Sequence, residues 1–150
     1  MLMRLPFAAV LIVGIAVPVV AEDKKADADL KAMVGNWKVE KSELAGKDVT
    51  EYLKVLKFEI RDGGKYTAQH DESKDEGTFT VDATKTPKEM VVKPTGGPAK
   101  GQTVNAIYKI DGDTLTICYD FDTEKGTRPT KFESKADTKL LLTTYKREKK

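Results

Sequence analysis

The chain has 150 residues and a near-even charge balance, 26 Lys and Arg against 24 Asp and Glu. That balance excludes a nucleic-acid binder driven by clustered excess base, and the length points to a single domain. One Cys excludes an internal disulfide framework and, with one His, the common Cys/His zinc sites, although a nucleophile–His enzyme needs only one of each and stays open.

Residues 1–21 read MLMRLPFAAVLIVGIAVPVVA. Arg4 precedes an apolar run that Pro18 breaks, and Val19 and Ala21 place small residues at the positions a signal peptidase reads. The run is short for a membrane span and gives way at once to Glu22-Asp23-Lys24-Lys25. A secretory signal cleaved after Ala21 is expected, with a secreted or periplasmic location and no integral membrane span afterwards. No Cys follows the run to carry a lipid anchor. A secreted chain with Cys118 alone relies on packing and hydrogen bonds.

Residues 22–34 form a lead-in. Leu30, Met33 and Val34 at helical spacing, behind a cap at Asp27 or Asp29, predict one or two helical turns over 27–34. From there the period becomes two. Trp37 and Val39 alternate with Lys38 and Glu40 in a first strand to about Leu44, followed by a turn at 45–48. Residues 55–60 and 65–68 flank Arg61-Asp62-Gly63-Gly64, a hairpin with Asp-Gly chemistry. Strands follow at 77–81 and 89–93. A second hairpin pairs 104–110 with 115–119 across Asp111-Gly112-Asp113-Thr114, and stretches at 131–134 and 140–146 end the set. The expected fold is all-β, an antiparallel barrel or sandwich.

The second hairpin defines two faces. With Ile110 opposite Leu115, one side carries Val104, Ala106, Tyr108, Ile110, Leu115, Ile117 and Tyr119 as core or cavity lining. The other carries Asn105, Lys109, Thr116 and Asp120 toward solvent, with Ile107 and Cys118 as a small apolar pair. Cys118 is read as a packed thiol.

Gly35-Asn36-Trp37, at the start of the first strand after a helical turn, resembles the G-x-W signature of lipocalins. The resemblance implies an up-and-down barrel of about eight strands, with Trp37 plugging the closed end and Arg147 covering the indole. A wider similarity spans residues 35–132 and is carried by an ordered set of segments. These are Gly35-Asn36-Trp37, Ser42-Glu43-Leu44-Ala45-Gly46-Lys47, Gly77-Thr78-Phe79-Thr80-Val81-Asp82 and Thr84-Lys85-Thr86-Pro87-Lys88-Glu89. The stretch from Ile107 to Cys118 and Arg128-Pro129-Thr130-Lys131-Phe132 complete it. The chain looks like the secreted lipocalin-like domain family known mainly from planctomycete bacteria, for which no activity is established. The resulting division is 1–21 signal, 22–34 lead-in, 35–147 barrel and 148–150 basic tail.

The polar segments offer little chemistry. Four carboxylates and an imidazole in Gln69-His70-Asp71-Glu72-Ser73-Lys74-Asp75-Glu76 suit a divalent ion through His70, Asp71 and Asp75, and equally suit a solvated acidic loop. Asp111-Gly112-Asp113 is explained as turn chemistry, because the later ligands of a calcium loop are missing. Residues 93–102, rich in Gly, Pro and Lys, read as a flexible loop at a barrel rim. Arg128 opens a strand, to form an ion pair or meet a ligand carboxylate. No metal or other cofactor is expected, and no catalytic constellation is found. The expected role is binding a small apolar or amphipathic molecule, with Tyr108, Ile110, Leu115, Ile117, Tyr119 and Arg128 as cavity candidates. A filled barrel acting as an envelope protein-interaction or structural module is the alternative, and an enzyme with a buried carboxylate pair is the third class.

Overall fold

Alternating apolar and charged side chains give each strand one face for the core and one for water. In the computed structural model, which describes residues 19–149, this produces a closed barrel of eight antiparallel strands. Of the predicted signal, residues 1–18 lie outside the described residues, and residues 19–21 open the first helix. Helix α1 (Val19–Met33) leads into β1 (Gly35–Leu44), the two-residue strand β2 (Lys47–Asp48) and the single turn α2 (Thr50–Leu53). Strands β3 (Lys57–Arg61), β4 (Lys65–His70), β5 (Ser73–Asp82) and β6 (Lys88–Gly96) follow. The last three are β7 (Val104–Asp111), β8 (Thr114–Asp120) and β9 (Leu140–Arg147). Each barrel strand pairs with the next in sequence, and β9 returns to pair with β1; β2 only extends β1 as a short hairpin. No helix among the described residues is long and apolar enough to cross a membrane.

A bulge between Val39 and Lys41 lets β1 serve both neighbours. Before the bulge Trp37 and Val39 point inward. After it the inward positions are Ser42 and Leu44, and the buried Ser42 and Thr143 hydroxyls hydrogen-bond at 2.7 Å. The β7–β8 hairpin has the expected register, with Ile110 opposite Leu115 and Ile107 opposite Cys118.

The closed end is built around Trp37. Its indole N–H donates to the Met33 carbonyl at 2.8 Å, and Met33 is itself fully buried. Trp37 and Arg147 are register partners on β1 and β9, and the guanidinium lies 4.3 Å from the centre of the indole. The same guanidinium donates to the carbonyls of Val34 (2.6 Å) and Ala32 and to Asp113 on the β7–β8 turn (3.0 Å). It therefore satisfies carbonyls at the C-terminus of α1, where a cation is also favoured by the helix dipole. A Cβ on Gly35 would come within 2.8 Å of that guanidinium, at a backbone φ of +143°.

Several expectations are corrected. The helix is longer than 27–34, and Asp29 is not a cap: its carboxylate accepts from Tyr108 Oη at 2.7 Å and Lys88 Nζ at 2.8 Å, tying α1 to the wall. The turn α2 was not expected; it starts where Asp48 accepts from the Thr50 backbone N–H. The acidic stretch is a tight hairpin and not a loop, with His70 opposite Ser73 and Asp71 at positive φ, which a short polar side chain tolerates. Strand β6 continues through Pro94, opposite Gly77 beside a bulge, where the missing N–H costs no ladder bond. Residues 131–134 form no strand, because β8 pairs with β9 directly and leaves no vacant edge between them.

Arg147→Ala is expected to destabilise the protein by about 3 kcal/mol, combining a cation–π contact with charge-assisted hydrogen bonds. Arg147→Lys should recover less than half, since an ammonium cannot stack and fork at once. Urea unfolding of the three proteins checks both expectations.

Candidate functional site

The two barrel ends differ in how they are filled. Trp37, Met33, Ile60 and Leu115 pack the closed end solidly. Toward the other end the inward side chains leave a cavity of about 200 Å³ with mostly apolar and aromatic walls. Phe58, Tyr66, Phe79, Ile117 and Tyr145 form its waist, while Leu53 and Leu56 of the α2 segment, Ala99 and Phe121 stand around its mouth. Phe58 packs against Tyr145 with ring centres 4.8 Å apart. The β4–β5 hairpin grips α2: the His70 ring lies 4.5 Å from that of Tyr52, and Nε2 is 2.8 Å from the Tyr52 carbonyl. A carbonyl can only accept, so this nitrogen carries the proton.

Polar groups in the cavity are few. The Tyr119 and Tyr145 hydroxyls hydrogen-bond to each other at 3.0 Å. Burial pushes both upward in pKa, Tyr145 to about 12, so both stay neutral. Tyr66 is also pushed up to about 12, first by burial and then by the charge of Asp75. Asp75 faces inward on β5, two residues before Gly77, and its Oδ1 is enclosed with no hydrogen-bond partner among the described residues. Burial raises its carboxyl pKa above the ordinary value.

Of the six cavity candidates, the structure brings only Ile117 and Tyr119 to the cavity. Leu115 and Tyr108 are fully buried nearer the closed end, and Tyr108 uses its hydroxyl on Asp29. Ile110, at the same end, faces an open cleft of about 630 Å³ outside the barrel. That cleft is ringed by Lys25, Lys85, Lys88 and Lys109; Lys88 is paired with Asp29, and Lys109 lies over Phe132.

Arg128 is corrected as a cavity residue, because it sits on the outer wall, where the ion-pair reading holds. There it donates to the carbonyls of Met90 (2.8 Å) and Ala106 (2.6 Å) and to Asn105 (3.3 Å), beside Glu89 at 3.6 Å. Residues 121–139 strap this wall, so the outer face of β7–β8 is less solvated than its polar residues suggest. Ile107, Thr116, Cys118 and Asp120 are all buried there. The Cys118 thiol donates to the Glu133 carbonyl at 3.4 Å, and burial pushes its pKa up, as befits a packed thiol. Gly35, Trp37 and Arg147 meet at the closed end.

Sequence reasoning missed Phe58, Tyr66 and Tyr145 as cavity residues, and it names Asp75 as a candidate ion ligand or loop residue and not as a cavity group. The period-two pattern signals the aromatics as inward, but it does not say which end of a strand faces a void. Asp75 interrupts an inward face within a run of acidic residues, so local composition does not mark it as inward. Among the described residues, no group of three or more His, Cys, Asp or Glu side chains converges as a metal site. No protein-family model, curated protein or solved structure matches this chain.

An unpaired, enclosed carboxylate has a signature in pH. Its raised native pKa means that the folded protein holds the proton more tightly than the unfolded chain, whose value is near 3.8. Its contribution to stability is therefore full below 3.8 and lost as pH rises through the raised value. Asp75→Asn is expected to gain stability relative to wild type as pH is raised from about 3 to neutrality. Thermal unfolding across that range tests this, and a pH-independent difference would contradict it.

Proposed function

We propose that this protein is a secreted or periplasmic lipocalin-like binding protein that holds a small apolar or amphipathic molecule in the open half of its barrel. The observation carrying this reading is the apolar cavity of about 200 Å³, left where the closed end stops being filled. Drug-sized sites run from about 300 Å³ upward, whereas a void of about 150 Å³ accepts benzene. The occupant is accordingly small, a ring or short chain with few atoms beyond it. The leader-like residues 1–21 support export, and the Trp37–Arg147 closure supports kinship with the lipocalin-like family of planctomycetes. A binding role rather than catalysis is supported by the inert surroundings of the two side chains best suited to nucleophilic work. Cys118 is buried on the outer wall, and His70 is engaged with the Tyr52 carbonyl.

One observation favours an envelope-interaction role. The exposed large apolar residues Leu44, Tyr52, Val55 and Phe121 all belong to segments at the open end. A rim of this kind suits docking onto another protein, with or without cargo.

The test is native mass spectrometry of the protein purified gently from its own host. A discrete added mass on the order of 100–200 Da is expected, by comparison with a benzene-sized void. Ala68→Phe, which places a ring inside the cavity, should abolish the adduct, with circular dichroism confirming that the variant stays folded. A clean apo mass at full recovery would count against a carrier and favour the docking role.

A further inference from the structure

This inference rests on the cavity-binding reading and concerns the chemistry of the occupant. Asp75 supplies a carboxylate to an otherwise apolar chamber and receives nothing in return. Its Oδ1 is enclosed yet accepts no hydrogen bond from any described residue. Its flanking residues, Lys74 and Glu76, face the other side of β5 and pair with each other at 3.9 Å, so Lys74 does not neutralise it. Gly97, at φ +90° in the β6–β7 connection, packs against Oδ1. A Cβ there would collide with the oxygen, so the connection closes over the carboxylate without donating to it. Asp75 is only partly buried as a residue, and it is the enclosed Oδ1 that bears a desolvation cost with no donor to offset it. Tyr66 lies on the facing strand, one inward position from Ala68, the register partner of Asp75. Its hydroxyl stays neutral and can accept as well as donate.

We propose that the barrel takes a small arylalkyl or alkyl amine, its apolar body lying among Phe58, Phe79 and Ile117 and its ammonium on the Asp75 carboxylate. The cavity of about 200 Å³ exceeds the roughly 150 Å³ that holds benzene, leaving room for a tail of a few atoms that reaches the carboxylate. An ammonium neutralises the charge and brings three donors, enough for Asp75 and the Tyr66 hydroxyl together. An alcohol brings one donor and leaves the charge unpaired.

The experiment is an NMR titration of the full chain near neutral pH with phenethylamine, 2-phenylethanol and ethylbenzene, three probes that share one ring and differ in the head group. Wild type is expected to bind the amine about tenfold or more tightly than the alcohol, the advantage of a charge-assisted hydrogen bond. Asp75→Asn should abolish that preference and leave ethylbenzene binding within about twofold, with shifts still centred on cavity residues such as Ala68. Ethylbenzene binding with no preference for the amine in wild type overturns this inference and leaves the cavity reading standing. A preference that survives Asp75→Asn also overturns it. Failure of all three probes to bind overturns the cavity reading, and the amine with it.

Discussion

The structure depends on how its two ends meet. A barrel of sequentially paired strands closes only if the first and last strands find each other, and here they meet at Trp37 and Arg147. An indole buries on the order of 200 Å² of surface, worth roughly 5 kcal/mol at about 25 cal/mol per Å². Arg147 then covers the ring and binds the carbonyls of Ala32 and Val34 at the foot of α1. One side chain thus joins the last strand, the plug and the N-terminal helix. The bulge in β1 is the backbone counterpart of this closure, bending the strand between β3 and β9.

Filling one end so completely leaves the other end short of side chains. Around the cavity strand alternation sets aromatic rings, Phe58, Tyr66, Phe79 and Tyr145, beside aliphatic side chains such as Met90 and Ile117, and together they stop short of filling it. The Tyr119–Tyr145 hydroxyl bond uses one of the pair's two O–H donors. Asp75 is different: it is placed inward by the same alternation that serves Phe79, but nothing on the neighbouring strands meets it. Its ionised form is disfavoured by burial, so it weakens the fold toward neutral pH.

The long β8–β9 connection shows how a polar face becomes buried without ceasing to be polar. Arg128, Thr127 and Glu133 bring hydrogen-bonding groups to Ala106, Asp120 and Cys118, so the strap covers the wall while satisfying it. The wall is held from outside by these bonds and from inside by the core. The rim at the open end, with Tyr52, Val55, Leu44 and Phe121, has no such cover.

Much of this was legible in the residues. Alternation at Trp37–Val39, at Phe58–Ile60 and through the β7–β8 hairpin determines strands and inward faces, because a one-residue slip would turn the whole apolar set outward. Asp-Gly turns determine where the chain reverses, and the resemblance of Gly35-Asn36-Trp37 to a lipocalin signature implies the closed end that Trp37 and Arg147 form. Other features depend on distant partners and are invisible to local pattern. Whether 131–134 forms a strand is decided by β9 already occupying the edge of β8. Whether Arg128 faces a ligand is decided by two carbonyls on strands far from it in sequence. Local chemistry sets which way a side chain points, but only the packed barrel sets what it meets, and so only the tertiary structure left Asp75 Oδ1 enclosed beside apolar walls with no partner among the described residues.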